Sequence, residues 1–147
     1  MIYASQSELD AGLAKWAKVL RLQDWDITAK ICVQREFTDG DSVWGRCHPK
    51  PKKKDAYIQI RDQADYLNTV EEHLTLPRDM EVDLVHEMLH IHFQPFEPDE
   101  EGPEWTAMEA AIETLARALV KLDRWEMSVP TVNGQVSFAE KREKVKA

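Results

Sequence analysis

The chain has no apolar run approaching the roughly 20 residues needed to cross a bilayer. Its opening stretch, MIYASQSELD, lacks both the basic start and the apolar centre of an export signal. These absences predict a cytoplasmic protein without a membrane partner. Cysteine is scarce: Cys32 and Cys47 are the only two, and without an export signal free thiols are expected rather than a disulfide. Basic residues are outnumbered, 19 Lys and Arg against 27 Asp and Glu for a net charge of −8. That balance disfavours a protein that coats nucleic acid or anionic membrane with its whole surface, because such binding runs on clustered Lys and Arg. One local cluster, Lys50, Lys52, Lys53 and Lys54, leaves room for a contact with acidic substrate or nucleic acid, although a solvated hairpin tip is the simpler reading. Repeats and low-complexity segments beyond that lysine run are absent too.

What is present fits one domain. At 147 residues and 43% hydrophobic content the chain is long enough for a single core and too short for two. The domain is expected over 1–126, with 127–147 as a loosely attached, charged tail turning at Asn133-Gly134. SELDAGLAKWAKVLRL predicts a first helix capped by Ser7, with Leu9, Leu13, Trp16, Ala17 and Leu20 on one face. WDITAKICV and AYIQIR alternate at period two and predict strands, and a short strand near Val43 to Cys47 falls between them after the Asp39-Gly40 turn. Two or three antiparallel strands follow from this. Asp65 to Leu76 is ambiguous, with a short helix as one reading. Pro77 and Arg78 then launch a helix, and a last one runs from about Glu104 to Trp125 on an inner stripe of Trp105, Met108, Ile112, Leu115, Ala116, Leu119 and Leu122. The class is α+β, a helix-first chain with a small sheet.

The segment EVDLVHEMLHIHF, Glu81 to Phe93, places three histidines and a glutamate on a helix that is otherwise apolar round most of its circumference. Burying such groups without partners costs about 1–3 kcal/mol each, so something must satisfy them. His86 and His90 are four residues apart and leave the same helical face, close enough to share one small cation. Glu87 projects about 100° round the helix from His86, which suits a group that handles a water rather than the metal. HEMLH is thus the HExxH pattern of zinc sites, with one Zn²⁺ per chain expected. Five letters can also arise by chance, leaving the histidines to the core or the surface. His92 points about 200° away from His90 and cannot join the same ion while the helix persists.

On these residues the chain resembles the zincin metallopeptidases, in which two histidines and a third protein ligand hold Zn²⁺ with one position open for water. The resemblance implies a zinc metallopeptidase that hydrolyses peptide bonds in a peptide or protein substrate, with Glu87 as general base and acid. No histidine follows His92, so patterns with a third downstream histidine, as in metzincins or SprT-like proteases, are not met. An acid must serve, and EWTAMEAAIE offers Glu104, Glu109 and Glu113.

Glu109 borders the inward stripe and Glu113 lies one turn further and more laterally. The ExxxE spacing resembles the glutamate helix of gluzincins, which implies Glu109 as ligand and Glu113 as the acid that orients a ligand histidine. It implies a zincin-like fold in which the HExxH helix packs on a C-terminal glutamate helix beside a small antiparallel sheet. AYIQIR would be the edge strand that pairs with extended substrate, giving Tyr57, Ile58 and Gln59 as substrate contacts.

The chain departs from larger gluzincins in having no room for a second domain of catalytic donors, which leaves the minimal single-domain type. Tyr57, Tyr66 and Arg78 are then candidates for stabilising an oxyanion, with ordinary strand and surface roles as the alternative. Cys47 and His48 could bind a second metal or block the first. The competing function is a catalytically silent zincin-like binding or regulatory module, of phage type, that keeps zinc for stability.

Overall fold

A computed structural model describes residues 1–37, 44–69, 78–99 and 101–127. Its regular elements are α1 (Gln6–Val19), β1 (Asp26–Cys32), β2 (Gly45–Lys50), β3 (Asp55–Arg61), α2 (Gln63–Thr69), α3 (Met80–Phe93) and α4 (Pro103–Met127). The class is α+β. The Asp39-Gly40 turn, Val43, Pro77 and Asn133-Gly134, and with them the expected tail beyond Met127, lie outside the described residues.

α1 starts two residues earlier than a Ser7 cap implies. Ser5 accepts a hydrogen bond from the Glu8 N–H at 3.3 Å, and the Glu8 carboxylate accepts from the Ala4 N–H at 2.8 Å. Both serines have an acid three residues on, but the Asp10 carboxylate behind Ser7 accepts from the Gln6 side chain at 2.7 Å instead of closing a cap. From this helix Leu9 and Trp16 are fully buried in the core.

The sheet has the order β1-β3-β2, with β1 parallel to β3 and β2 antiparallel to it, so it is mixed and not the all-antiparallel sheet expected. β2 and β3 form a hairpin closed by Pro51–Lys54, and Lys54 takes the left-handed conformation there. β1 pairs with the far side of β3 and so runs the same way. Alternation fixes a strand's period and not its partner, which is why the direction was illegible. β2, second along the chain, begins at Gly45 and continues through Pro49 to Lys50, further along than Val43 to Cys47. Proline is tolerated because β2 is at the edge of the sheet. Of the lysines at this turn, Lys54 pairs with Asp24 and Lys50 with Asp55, which reduces the local positive charge.

α3 lies almost wholly in the core, with Met80, Leu84, Val85 and Met88 fully buried. Its N-cap is Asp79, whose side chain accepts from the Glu81 N–H at 3.2 Å, so Arg78 precedes the helix rather than opening it. The buried Glu81 is satisfied by Trp16 Nε1 at 3.0 Å, Lys15 at 3.1 Å and Arg124 at 2.7 Å. One carboxylate therefore ties α1, α3 and α4 together.

α4 packs along α3 through Ile112, Ala116 and Val120, with Met108 and Leu119 at the margin. Leu115 and Leu122, placed on the inner stripe by the sequence, are 43% and 54% exposed. They fall roughly 100–120° round the helix from the buried line, where Val120 takes the place they were given. Among the described residues no helix is long and apolar enough to cross a membrane.

Candidate metal centre

One turn of α3 separates His86 from His90 and brings their Nε2 atoms to 3.3 Å. The packing of α4 against α3 adds Glu109, whose Oε2 is 3.3 Å from His86 Nε2 and whose Oε1 is 3.4 Å from His90 Nε2. One donor atom from each of the three lies within 4.8 Å of the others. Glu113, a turn further along α4, places Oε2 3.1 Å from His86 Nδ1. Its other oxygen accepts from Arg117 at 2.6 Å. An Nδ1–H donated to Glu113 leaves the Nε2 lone pair of His86 facing the other donors, the tautomer a metal ligand needs. Glu104, exposed on the first turn of α4, is not in the group.

Three converging electron-pair donors repel one another unless a cation or a proton lies between them. Burial opposes a charge on His86, yet the Glu109 hydrogen bond, the Glu87 charge and Glu113 together raise its pKa to about 9. His90 is lowered by burial, with Glu109 opposing and the charge of His86 reinforcing the shift. Glu109 is held low by the His86 hydrogen bond, against its own desolvation. In the metal-free chain a proton on His86 therefore stands where a cation would sit.

Glu87 points elsewhere. Its side chain is 6% exposed and makes no hydrogen bond or ion pair among the described residues. Burial pushes its carboxyl up to about 8; His86 and Arg46 pull it down, while Asp83 and Glu109 push it further up. Gly45 makes the room: a Cβ there would stand 2.7 Å from Glu87 Oε1 and 2.8 Å from its Cγ. Asp83, one turn before Glu87, is raised to about 6 by burial in spite of the Arg78 guanidinium 2.8 Å away. Arg78 also donates to the Trp44 carbonyl at 3.2 Å, fastening the start of α3 to the approach of β2.

These groups border a cavity of about 500 Å³ between β2, α3 and the start of α4. Trp44, Gly45, Arg46 and Cys47 form one wall, and Glu97, Glu101 and Trp105 contribute from the other side. Tyr57, Ile58 and Gln59, expected to meet substrate from an edge strand, do not line this cavity. They belong to β3, which is hydrogen-bonded to a strand on each side, and Ile58 and Gln59 are buried. Gln59 donates to the Glu36 carbonyl at 3.1 Å and approaches His48 at 3.2 Å, while Tyr57 stacks on His48. Among the described residues the strand with an open edge beside the cavity is β2. Tyr66, packed edge-on to Trp44, and Arg78 do not line the cavity either; the guanidinium that does is Arg46.

His92 donates from Nε2 to the Leu20 carbonyl at 2.8 Å, away from the other histidines. Cys32 and Cys47 are free. Burial, with the Glu87 and Glu97 charges, pushes the Cys47 thiol well above its ordinary range, which holds it protonated and makes it a poor blocker of a metal. His48 faces Gln59 and takes no part in the cluster.

Gly45 and Arg46 were missed although they fall inside the expected strand Val43 to Cys47; the glycine within that strand was the available signal for a close approach. No protein-family model matches the chain, and neither a curated protein nor a solved structure matches it.

Proposed function

We propose that the protein is a zinc-dependent metallopeptidase of zincin-like, minimal gluzincin type, acting on a peptide or protein substrate in the cytoplasm. The observation that carries this reading is a division of labour. His86, His90 and Glu109 converge on one point, while Glu87, adjacent in sequence, stands apart from them in the same cavity without a partner. Two imidazoles and a carboxylate, with one imidazole oriented by Glu113, fit Zn²⁺ in donor type and number.

His86 and His90 would hold the ion through Nε2, and Glu109 through its carboxylate. Bound there, zinc supplies a Lewis acid that polarises a peptide carbonyl and acidifies a nearby water. Glu87 takes the proton from the attacking water and delivers it to the leaving amine nitrogen as the C–N bond breaks. Held in the same cavity as the three ligand side chains, this carboxyl can accept that proton and give it back. Gly45 keeps the carboxyl free to reach the cavity. β2, paired on one side only among the described residues, offers main-chain groups to an extended peptide.

A silent module that keeps zinc for stability needs the same three ligands and has no use for a buried, partnerless Glu87. Digestion of a mixed peptide library, read by mass spectrometry with zinc and with chelator, tests the choice. New termini that depend on zinc support the peptidase; intact peptides over a zinc-loaded protein make it the silent module.

A further inference from the structure

The acids around the cavity fall into two groups. Asp83 is paired with Arg78 and Glu113 with Arg117, and Glu109 faces the histidines. Glu97 and Glu101, on the segment joining α3 to α4, have no ion pair among the described residues and are exposed at the cavity. Glu97 shares the cavity lining with Cys47 of β2, and its charge helps raise the pKa of that thiol. Glu87, 6% exposed and without a partner, lines the same space. Two indoles, Trp44 and Trp105, line it as well, with Gly45, Arg46, Cys47 and Pro49 on the β2 wall.

Resting on the metallopeptidase reading, we propose that the cavity selects peptides carrying a lysine or arginine side chain beside the scissile bond. A long basic side chain has an apolar stem and a charged head, and this lining has a surface for each. The indoles pack the stem and attract the cation through their faces, and Glu97 and Glu101 receive the head group at the rim. An acidic side chain would meet two unpaired carboxylates there and be repelled. Rim carboxylates act mainly through steering and discrimination, so the preference weakens with added salt.

The test is binding to the zinc-loaded Glu87→Gln protein, which should leave peptides uncut. Two peptides of equal length are compared, one with a central lysine and arginine and one with glutamates in their place, followed by tryptophan fluorescence and calorimetry. The basic peptide should bind about tenfold tighter in low salt, the sum of two rim ion pairs and a cation–π contact. Glu97→Gln with Glu101→Gln should bring the two affinities within about twofold of each other while zinc content stays the same. Equal binding, tighter binding of the acidic peptide, or a preference that survives both substitutions overturns the proposal. Because both glutamates are exposed, the variant should fold, and Trp105→Leu, expected to weaken the basic peptide alone, provides an independent reading. Cleavage of wild-type substrates without charge preference would sink this inference and leave the peptidase standing. A basic preference in binding with no cleavage of any peptide would overturn the peptidase, and with it the placing of the basic side chain beside a scissile bond, and leave a cavity that only binds basic side chains.

Discussion

A side chain at Gly45 would collide with Glu87: the nearest carboxylate oxygen lies 2.7 Å from where its Cβ would be. The contact joins β2 to α3 at the point where the chemistry is proposed to occur. Gly45→Ala should displace the Glu87 carboxyl without touching a metal ligand. Zinc stoichiometry should hold while kcat falls about 10- to 100-fold, since misplacing a catalytic group by an ångström is that costly. Parallel measurement of bound zinc and kcat checks this, and an undiminished kcat would mean that Glu87 does not need its present position.

The ligand set predicts an order of metal affinities. Glu109→Ala removes a carboxylate that faces both histidines and should weaken zinc binding most. Glu113→Ala should cost roughly 10- to 100-fold, through loss of the group that orients His86. Glu104→Ala and His92→Ala should cost nothing, because Glu104 is not in the cluster and His92 bonds the Leu20 carbonyl. A zinc titration of the four variants gives the order, and retention of full affinity by Glu109→Ala contradicts it.

Zinc and a proton compete for His86. With its pKa raised to about 9 in the metal-free chain, the imidazole is charged at neutral pH and must lose a proton to bind metal. Apparent affinity should therefore fall by about tenfold for each pH unit below 9, with about one proton released per zinc near pH 7. Calorimetry in buffers of different ionisation enthalpy counts that proton. A count near zero would show that His86 is not a ligand or is already neutral.

Glu87 should lower the stability of the metal-free chain as pH rises. Its carboxyl goes from an ordinary 4.5 to about 8 in the fold, through burial above all. Below pH 4.5 the group is neutral folded or unfolded and costs nothing on this account. Between 4.5 and 8 the unfolded chain ionises first and folding is penalised increasingly; above 8 the penalty is complete. Glu87→Gln has no such group and should melt higher than wild type at pH 9, by roughly 5 °C or more, with the gap closing towards pH 4.5. Thermal melts with chelator present across that range test the sign.

The pairing of His86, His90 and Glu109 was legible because it rests on two periodicities. Four residues along α3 and the border of an apolar stripe on α4 fix which groups face one another once two helices pack. The outward turn of His92 follows from the same count. The sheet was harder. Tyr57 to Gln59 were assigned to substrate from the order of elements along the chain, yet β3 became the central strand because β1 added to its far side. Pairing across loops leaves no local trace. The role of Gly45 was hidden for a related reason: a close approach is a property of two segments, and WGRC carries only one of them. Leu115 shows the limit of counting apolar letters, since Val120 lies nearer the buried line and Leu115 faces outward.

The central claim, that Glu87 moves protons and binds no metal, is tested most directly by comparing wild type with Glu87→Gln, measuring zinc per chain and peptide hydrolysis on the same preparations. The account predicts nearly equal zinc in both proteins and a loss of about 10²- to 10⁴-fold in hydrolysis for the variant. Hydrolysis at the wild-type rate would contradict the mechanism, and loss of zinc together with activity would make Glu87 a ligand.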